Sequence, residues 1–397
     1  MKNAIIELMR RTDVRAALAD YHRRLEAILA QIVAIQQVPS PTFAEERRSA
    51  YMEAQFRALG IAGVSRDTLH NVFARLPGRD ADRPPLIVSA HLDTVFPATT
   101  DLATRREGPL LFGPGIGDNS TGLAGLLVLG RTLIDRALPH AADIYLVANV
   151  GEEGLGDLGG MRAVVDRFGG RAVYLVVEGG LFGQLTHQAV GVRRYRIEVT
   201  APGGHSWGSF GASSAIHVLG HLIAAIDGLD VPATPKTSYN VGIIEGGLSI
   251  NSIAHAAQLW LDLRSEDARE LERLVGQVQG ILARMNHEHA EAGDGVRLTA
   301  ETVGDRPAGA IGRDAPIVAH AEAALRAVGC GDVRYIVSST DANIPLSRGY
   351  EAVCLGLTHS GNSHRPDEYI DITHLPAGLG QLLLVTLATA GLDGGRA

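Results

Sequence analysis

Cysteine is nearly absent from this sequence: 397 residues hold two, Cys330 and Cys354, each within or beside an apolar run. A disulfide framework is excluded as the source of stability, and buried free thiols in a reducing compartment are expected. Positive charge is also scarce. Lys plus Arg number 36 against 44 Asp plus Glu, for a net charge of −8. No basic field is available for nucleic acid or for an anionic membrane surface, so neither is expected as a partner. No apolar run reaches the roughly 20 residues that a spanning helix needs. Met1–Asp13 has no apolar stretch followed by a small-residue cleavage site, and the expected location is the cytoplasm.

What is present reads as a folded enzyme-sized chain. Apolar residues make up 46% and charged residues 20%, as in soluble globular proteins. The length exceeds one ordinary core, which favours two domains or one domain carrying an insertion. Residues 19–36 have helical apolar spacing, and Thr42 followed by Glu45 reads as a capping box opening a second helix. Leu86-Ile87-Val88 leads into His91. Ile144-Tyr145-Leu146-Val147 leads into Glu152 and Glu153, Val173 to Val177 into Glu178, and Val353 to Leu357 precedes His364. Continuous apolar runs alternating with helical patterns predict strands buried on both faces of a largely parallel sheet. Their polar ends lie where open α/β sheets place their sites.

Between these runs the pattern changes. From about 190 to 303 the order is strand, helix, strand, strand, helix, strand, the ferredoxin-like arrangement. Leu259, Leu261 and Leu263 alternate with Trp260, Asp262 and Arg264, as on a half-buried strand. A compact domain inserted into a larger α/β domain is the expectation.

The loop Gly113–Gly122 admits two readings: a phosphate cradle, or a holder for Asp118. Gly122 is followed by Leu123 and Ala124 where a P-loop needs Lys and Ser or Thr, and Ser120 stands where a dinucleotide loop needs its third glycine. Nucleotide binding is therefore set aside. His91-Leu92-Asp93 puts two side chains on one face of an extended segment, although alone it also fits a solvated strand end. Glu152-Glu153 alone fits an acidic turn, and His364 alone fits a surface loop. Glu178, directly after five apolar residues, is expected to be paired or metal-bound. Taken together, two histidines, three carboxylates and a spare glutamate exceed the needs of one tetrahedral zinc. They suit two ions sharing a bridging carboxylate, for which Asp118 is placed.

Six motifs occur in one order: His91-Leu92-Asp93-Thr94, Gly117-Asp118-Asn119, Gly151-Glu152-Glu153-Gly154, Glu178-Gly179-Gly180, Gly204-His205-Ser206 and His364. In this combination the chain resembles the superfamily of dinuclear zinc peptidases and deacylases that includes peptidase T, glutamate carboxypeptidase, aminoacylase and succinyl-diaminopimelate desuccinylase, from about His70 to Asp371. The resemblance implies a discontinuous α/β catalytic domain (1–189 and 304–397) with a mixed, mostly parallel sheet, and a βαββαβ lid and dimerisation domain over 190–303. It implies two zinc ions, with cobalt or manganese admitted by the same ligand types. His91 and Glu178 would bind one ion and Glu153 and His364 the other, with Asp118 bridging and Asp93 orienting His91. Glu152 would be the general base for a hydroxide held between the ions. A cis peptide is implied at Asp118–Asn119. His205, Asn251 and Arg264 would contact substrate, His205 in its own or a partner subunit's site, and a homodimer would form through the lid. For Arg264, an ion pair with Asp262 is the structural alternative.

For substrate, Ser339-Thr340-Asp341-Ala342-Asn343 and the spacing from His364 to Glu368 are similar to peptidase T, which favours an exopeptidase on small peptides. Glu178 stands where that group usually has aspartate, and Asp118-Asn119-Ser120 replaces its double-aspartate-lysine motif. Those departures point to an N-acyl-amino-acid deacylase or desuccinylase as the alternative. A non-catalytic metal-binding relative is the third reading, although no ligand or base is missing.

Overall fold

The computed structural model describes residues 2–391. The chain divides into two compact units, one running up to Ala189 and resuming at Ala310, the other Val190–Gly309.

The first unit is built on a nine-stranded mixed sheet. Seven of its strands run, in spatial order, Gly63–Arg66, Val72–Leu76, Ile144–Asn149, Leu86–His91, Val173–Glu178, Ala352–Gly356 and Gln184–Ala189, and Arg334–Ser338 also pairs with the last of these. The four central strands, from Ile144–Asn149 to Ala352–Gly356, are all parallel, so their carboxyl ends share one edge. Each is buried on both faces, and the side-chain period of two sends alternate residues into two cores. Val88, Ala90, Leu175, Val177, Val353 and Leu355 pack into one cluster with helices Leu25–Gln36, Gly122–Asp135, Pro316–Ala327 and Leu375–Ala390. Ile87, Tyr174, Val176 and Cys354 pack into the other with helix Gly159–Phe168. This is why the strands read as unbroken apolar runs.

The periodic stretch 19–36 is not one helix. It falls into Thr12–Arg23 and Leu25–Gln36, broken at Arg24 (φ −100°, ψ 12°). The capping-box expectation also fails. Helix Glu46–Ala58 begins without a side-chain cap, because Thr42 Oγ1 donates to Asp93 Oδ2 (3.0 Å) and Glu45 Oε1 accepts the Gly151 N–H (3.1 Å). Both side chains are spent on the strand-end loops instead.

The second unit is a four-stranded antiparallel sheet ordered Thr237–Gly246, Ala256–Ser265, Gly191–Thr200, Arg297–Arg306, with helices Ala215–Asp227 and Ala268–Ala292 packed against it. Along the chain this is β-α-β-β-α-β with the first and third strands central, the ferredoxin-like topology. Ala257, Leu259, Leu261 and Leu263 face the helices and are buried. The last strand reaches Arg306, three residues beyond the 303 read from its apolar spacing.

Helix Leu375–Ala390 approaches the sheet at a glycine. A Cβ on Gly378 would overlap the Leu357 carbonyl, just past strand Ala352–Gly356. Backbone cannot yield as a side chain does. Gly378→Ala is expected to cost about 1–3 kcal/mol or more through overpacking, read as a lowered midpoint in urea denaturation. A midpoint equal to that of the parent would show that the helix can shift away.

Candidate metal centre

The shared edge of the parallel strands delivers the ligand-type residues. His91 is the last residue of its strand and pairs in register with Asn149, after which the chain turns through Gly151 (φ 65°) into Glu152 and Glu153. Glu178 ends the next strand, and His364 follows the strand Ala352–Gly356. Asp118 comes from a tight turn, Ile116–Thr121, at the head of helix Gly122–Asp135. The Asp118–Asn119 peptide is cis, as the resemblance implied.

These side chains meet. His91 Nε2 lies 2.9 Å from Asp118 Oδ1 and 3.8 Å from Glu178 Oε2. His364 Nε2 lies 3.2 Å from Asp118 Oδ2 and 3.1 Å from Glu153 Oε1. One oxygen of Asp118 thus faces each histidine. Among the described residues, ligating atoms of His91, Asp118 and Glu153 all lie within 4.8 Å of one another. His91 is buried, whereas the His364 side chain is 53% exposed. His364 has φ 66°, a left-handed conformation that costs a non-glycine residue about 1–3 kcal/mol and gathers at functional sites.

Asp93 braces the assembly more broadly than by orienting one ring. Its Oδ1 accepts the Glu152 N–H (2.9 Å) and its Oδ2 the Glu153 N–H (2.8 Å). His91 Nδ1 lies 3.0 Å from the Asp93 main-chain carbonyl and 3.5 Å from its carboxylate. The carbonyl is thus the closer partner that holds the ring. Two buried residues that the spacing did not single out support the same loops. Arg48 donates to the carbonyls of Val38, Leu92 and Gln36, and Asn149 Nδ2 donates to Asp341 Oδ2 at 2.7 Å. The loops also touch closely. A Cβ on Gly179 would overlap the Gly117 carbonyl oxygen, which is why Glu178-Gly179 needs its glycine.

Charge is crowded here. Burial pushes Glu178 up to about 7 despite His91. Burial works against charge on His91 too, but the Asp118, Asp93 and Glu178 oxygens raise it well above the imidazole range. Asp118 and Glu153 raise His364 to about 10. Burial opposes ionisation of Asp118, but His364 and His91 hold it below the carboxylate range. Three carboxylates and two imidazoles converging at 2.9–3.8 Å are a nitrogen-and-oxygen donor set for divalent cations. The residues therefore fit the metals that the resemblance implies.

Glu152 and Glu153 are both buried. The expected substrate contacts belong to the second unit. His205 is exposed and pairs in register with Ser252. Its Nδ1 accepts the N–H groups of Trp207 and Gly208, both at 3.2 Å, which leaves the neutral ring's proton on Nε2 as a donor. Asn251 is next to it, since the Ser206 N–H donates to the Asn251 carbonyl (3.0 Å). Arg264 is held by Asp262 at 2.6 Å, and the other Asp262 oxygen takes Arg194.

Cation uptake must displace protons from His91 and His364, both raised above the imidazole range. Apparent zinc affinity is expected to fall on acidification from about pH 8 to about pH 6, by up to roughly tenfold per unit for each proton displaced. Calorimetry in buffers of different ionisation enthalpy counts those protons. Uptake without proton release would exclude the histidines as the occupied positions.

The fold has solved relatives. A tripeptidase from Staphylococcus aureus is 21% identical with TM-score 0.78, covering 92% of this chain and 98% of that one. Aminopeptidase PepT from Bacillus cereus is 20% identical with TM-score 0.74, covering 92% and 99%. An amidase of the hydantoinase/carbamoylase family from Burkholderia vietnamiensis is 20% identical with TM-score 0.69, covering 93% and 97%. At these identities the likeness is one of fold. No curated protein matches in sequence. The model of peptidase family M20/M25/M40 matches residues 87–386, a span holding every side chain of the cluster, and the chain belongs to that family of metal-dependent hydrolases.

Proposed function

We propose that the protein hydrolyses an amide bond in small peptides, as an exopeptidase, using two divalent metal ions held by His91, Asp118, Glu153, Glu178 and His364. The observation that carries this reading is the placement of Asp118, with Oδ1 at 2.9 Å from His91 and Oδ2 at 3.2 Å from His364, as a bridging carboxylate requires. Glu178 accompanies His91 on one side, and Glu153 accompanies His364 on the other. Zinc is the ion this donor set favours, and cobalt and manganese accept the same ligands. Bound there, the ions would supply Lewis acidity at the scissile carbonyl and lower the pKa of water toward neutrality.

The chain's own residues account for the proton transfers. Glu152 takes a proton from the attacking water and returns it to the leaving amine nitrogen, so one water is consumed for each acid and amine released. Its main chain is anchored by Asp93 Oδ1, and so the base cannot drift from Glu153. His205, with its donor on Nε2, is suited to the carbonyl oxygen as negative charge develops there. Asn251 beside it is suited to the substrate's polar backbone. Arg264, engaged by Asp262, is the weakest of the three assignments. The second unit would serve as lid and dimer contact. Its edge strand Thr237–Gly246 carries exposed Ile243 and Ile244, and one free strand edge invites pairing with a second copy. The cytoplasm remains the proposed location, and among the described residues no helix is long and apolar enough to cross a membrane.

The alternative is an N-acyl-amino-acid deacylase. Glutamate at 178 favours it, and three of the fold relatives bear the name amidase.

Glu152→Gln is expected to retain its metal and to lose about 10²–10⁴-fold in kcat. The paired measurements are metal content and turnover on the same purified sample, and undiminished turnover would remove Glu152 from its role. Zinc-loaded protein is expected to cleave di- or tripeptides faster than N-acetyl or N-succinyl amino acids. The reverse order would establish the deacylase, and inactivity on both with metal bound would favour a non-catalytic relative.

A further inference from the structure

Glu368 lies in the polar run Asn362–Glu368 that reads as a surface loop, yet its side chain is wholly buried. Its carboxylate is aimed at the Asp118 turn. Oε1 accepts the N–H groups of Gly117 and Asp118, both at 2.8 Å, and Oε2 accepts the Gly115 N–H at 3.2 Å. The Glu368 main-chain carbonyl accepts the Gly113 N–H (2.8 Å), and its own N–H returns to the Arg365 carbonyl (3.0 Å). One residue therefore gathers four donors from the turn bearing Asp118 while closing the loop that bears His364.

The packing is tight. A Cβ on Gly117 would stand 3.0 Å from Glu368 Oε1 and 3.1 Å from the Ser360 Cβ, so a side chain there would press on the carboxylate and on Ser360. A carboxylate set against successive main-chain N–H groups is an anion in a nest. Burying it beside the Asp118 carboxylate is costly for stability alone, since a neutral isostere would add no further negative charge.

We infer that Glu368 is a positioning residue that fixes Asp118 relative to His364, and so sets the geometry of the ion those two residues share with Glu153. This rests on the metal reading above. A ligand loop held by three directional hydrogen bonds presents its oxygens preorganised, and supporting partners of this kind are worth about 10–100-fold in metal affinity.

The test measures zinc affinity by chelator competition, the visible spectrum of the cobalt-loaded protein, and kcat and KM on the best peptide. Three variants are compared with the parent: Glu368→Gln, Gly117→Ala and His364→Ala. Glu368→Gln keeps the shape but sets an amide N–H₂ against one of the main-chain donors. It is expected to bind the second zinc about 10–100-fold more weakly, to shift the cobalt spectrum, and to lower kcat at saturating metal with little change in KM. Gly117→Ala disturbs the same contact from the other side and should do likewise, while His364→Ala loses the second ion. Parent-like affinity, spectrum and kcat in Glu368→Gln, with an ion lost in His364→Ala, overturns the positioning role and leaves the metal reading standing. Two ions retained by His364→Ala overturns the metal reading and this inference with it. Should Glu368→Gln fail to fold, Gly117→Ala carries the comparison, and a parent-like result there overturns the role.

Discussion

Like charges dislike company, and this chain forces them together where water is scarce. Asp118, Glu153 and Glu178 converge on two imidazoles at the edge of a sheet whose interior is largely apolar. Left alone, such a group relaxes by taking up protons, and the raised His91, His364 and Glu178 register that tendency. Holding the carboxylates close against their repulsion takes main-chain N–H groups of their loops donating to fixed acceptors. Asp93 supplies the anchor for Glu152 and Glu153, and Glu368 supplies it for the Asp118 turn. Much of the irregular backbone near the strand ends, including left-handed Asn362, His364 and Gly151, answers to that one electrostatic demand.

The parts legible in the sequence are those with a local cause. Strands buried on both faces leave unbroken apolar runs, so the parallel sheet and the residues at its carboxyl edge could be read from Leu86–Val88, Ile144–Val147 and Val173–Val177. The second unit announced itself by alternation at Leu259, Leu261 and Leu263 and by its element order. The glycines at 117 and 179 mark close approaches of backbone, and the motif order carried the resemblance that the family match bears out.

What stayed hidden has long-range causes. Thr42 and Glu45 satisfy the local grammar of a helix start, yet both bond to residues far along the chain. Tertiary demand overrode a correct local rule. Glu368 among Arg365, Pro366 and Asp367 has every mark of solvent exposure, and no spacing rule signals that its partners lie at Gly115, Gly117 and Asp118. Arg48 is similar: a charged residue on a polar helix, buried because three carbonyls await it. The break at Arg24 was invisible because both helices share one apolar phase.

The insertion of the second unit has a consequence for the order of assembly. Strand Val173–Glu178 pairs early with Leu86–His91 but must wait for Ala352–Gly356, made after the whole 190–309 stretch, before it gains its second parallel neighbour. During synthesis from the N-terminus, His91, Asp118, Glu153 and Glu178 emerge long before His364, and the acidic turn at 118 emerges before the glutamate that holds it. The second unit has its own core and only sequence-adjacent contributors, so it can fold as a unit while the first stays open. A half-made chain is then a bundle of repelling carboxylates beside a strand paired on one side only, its other edge open to edge-to-edge association. The last quarter of the chain both completes the sheet and ends that vulnerable interval.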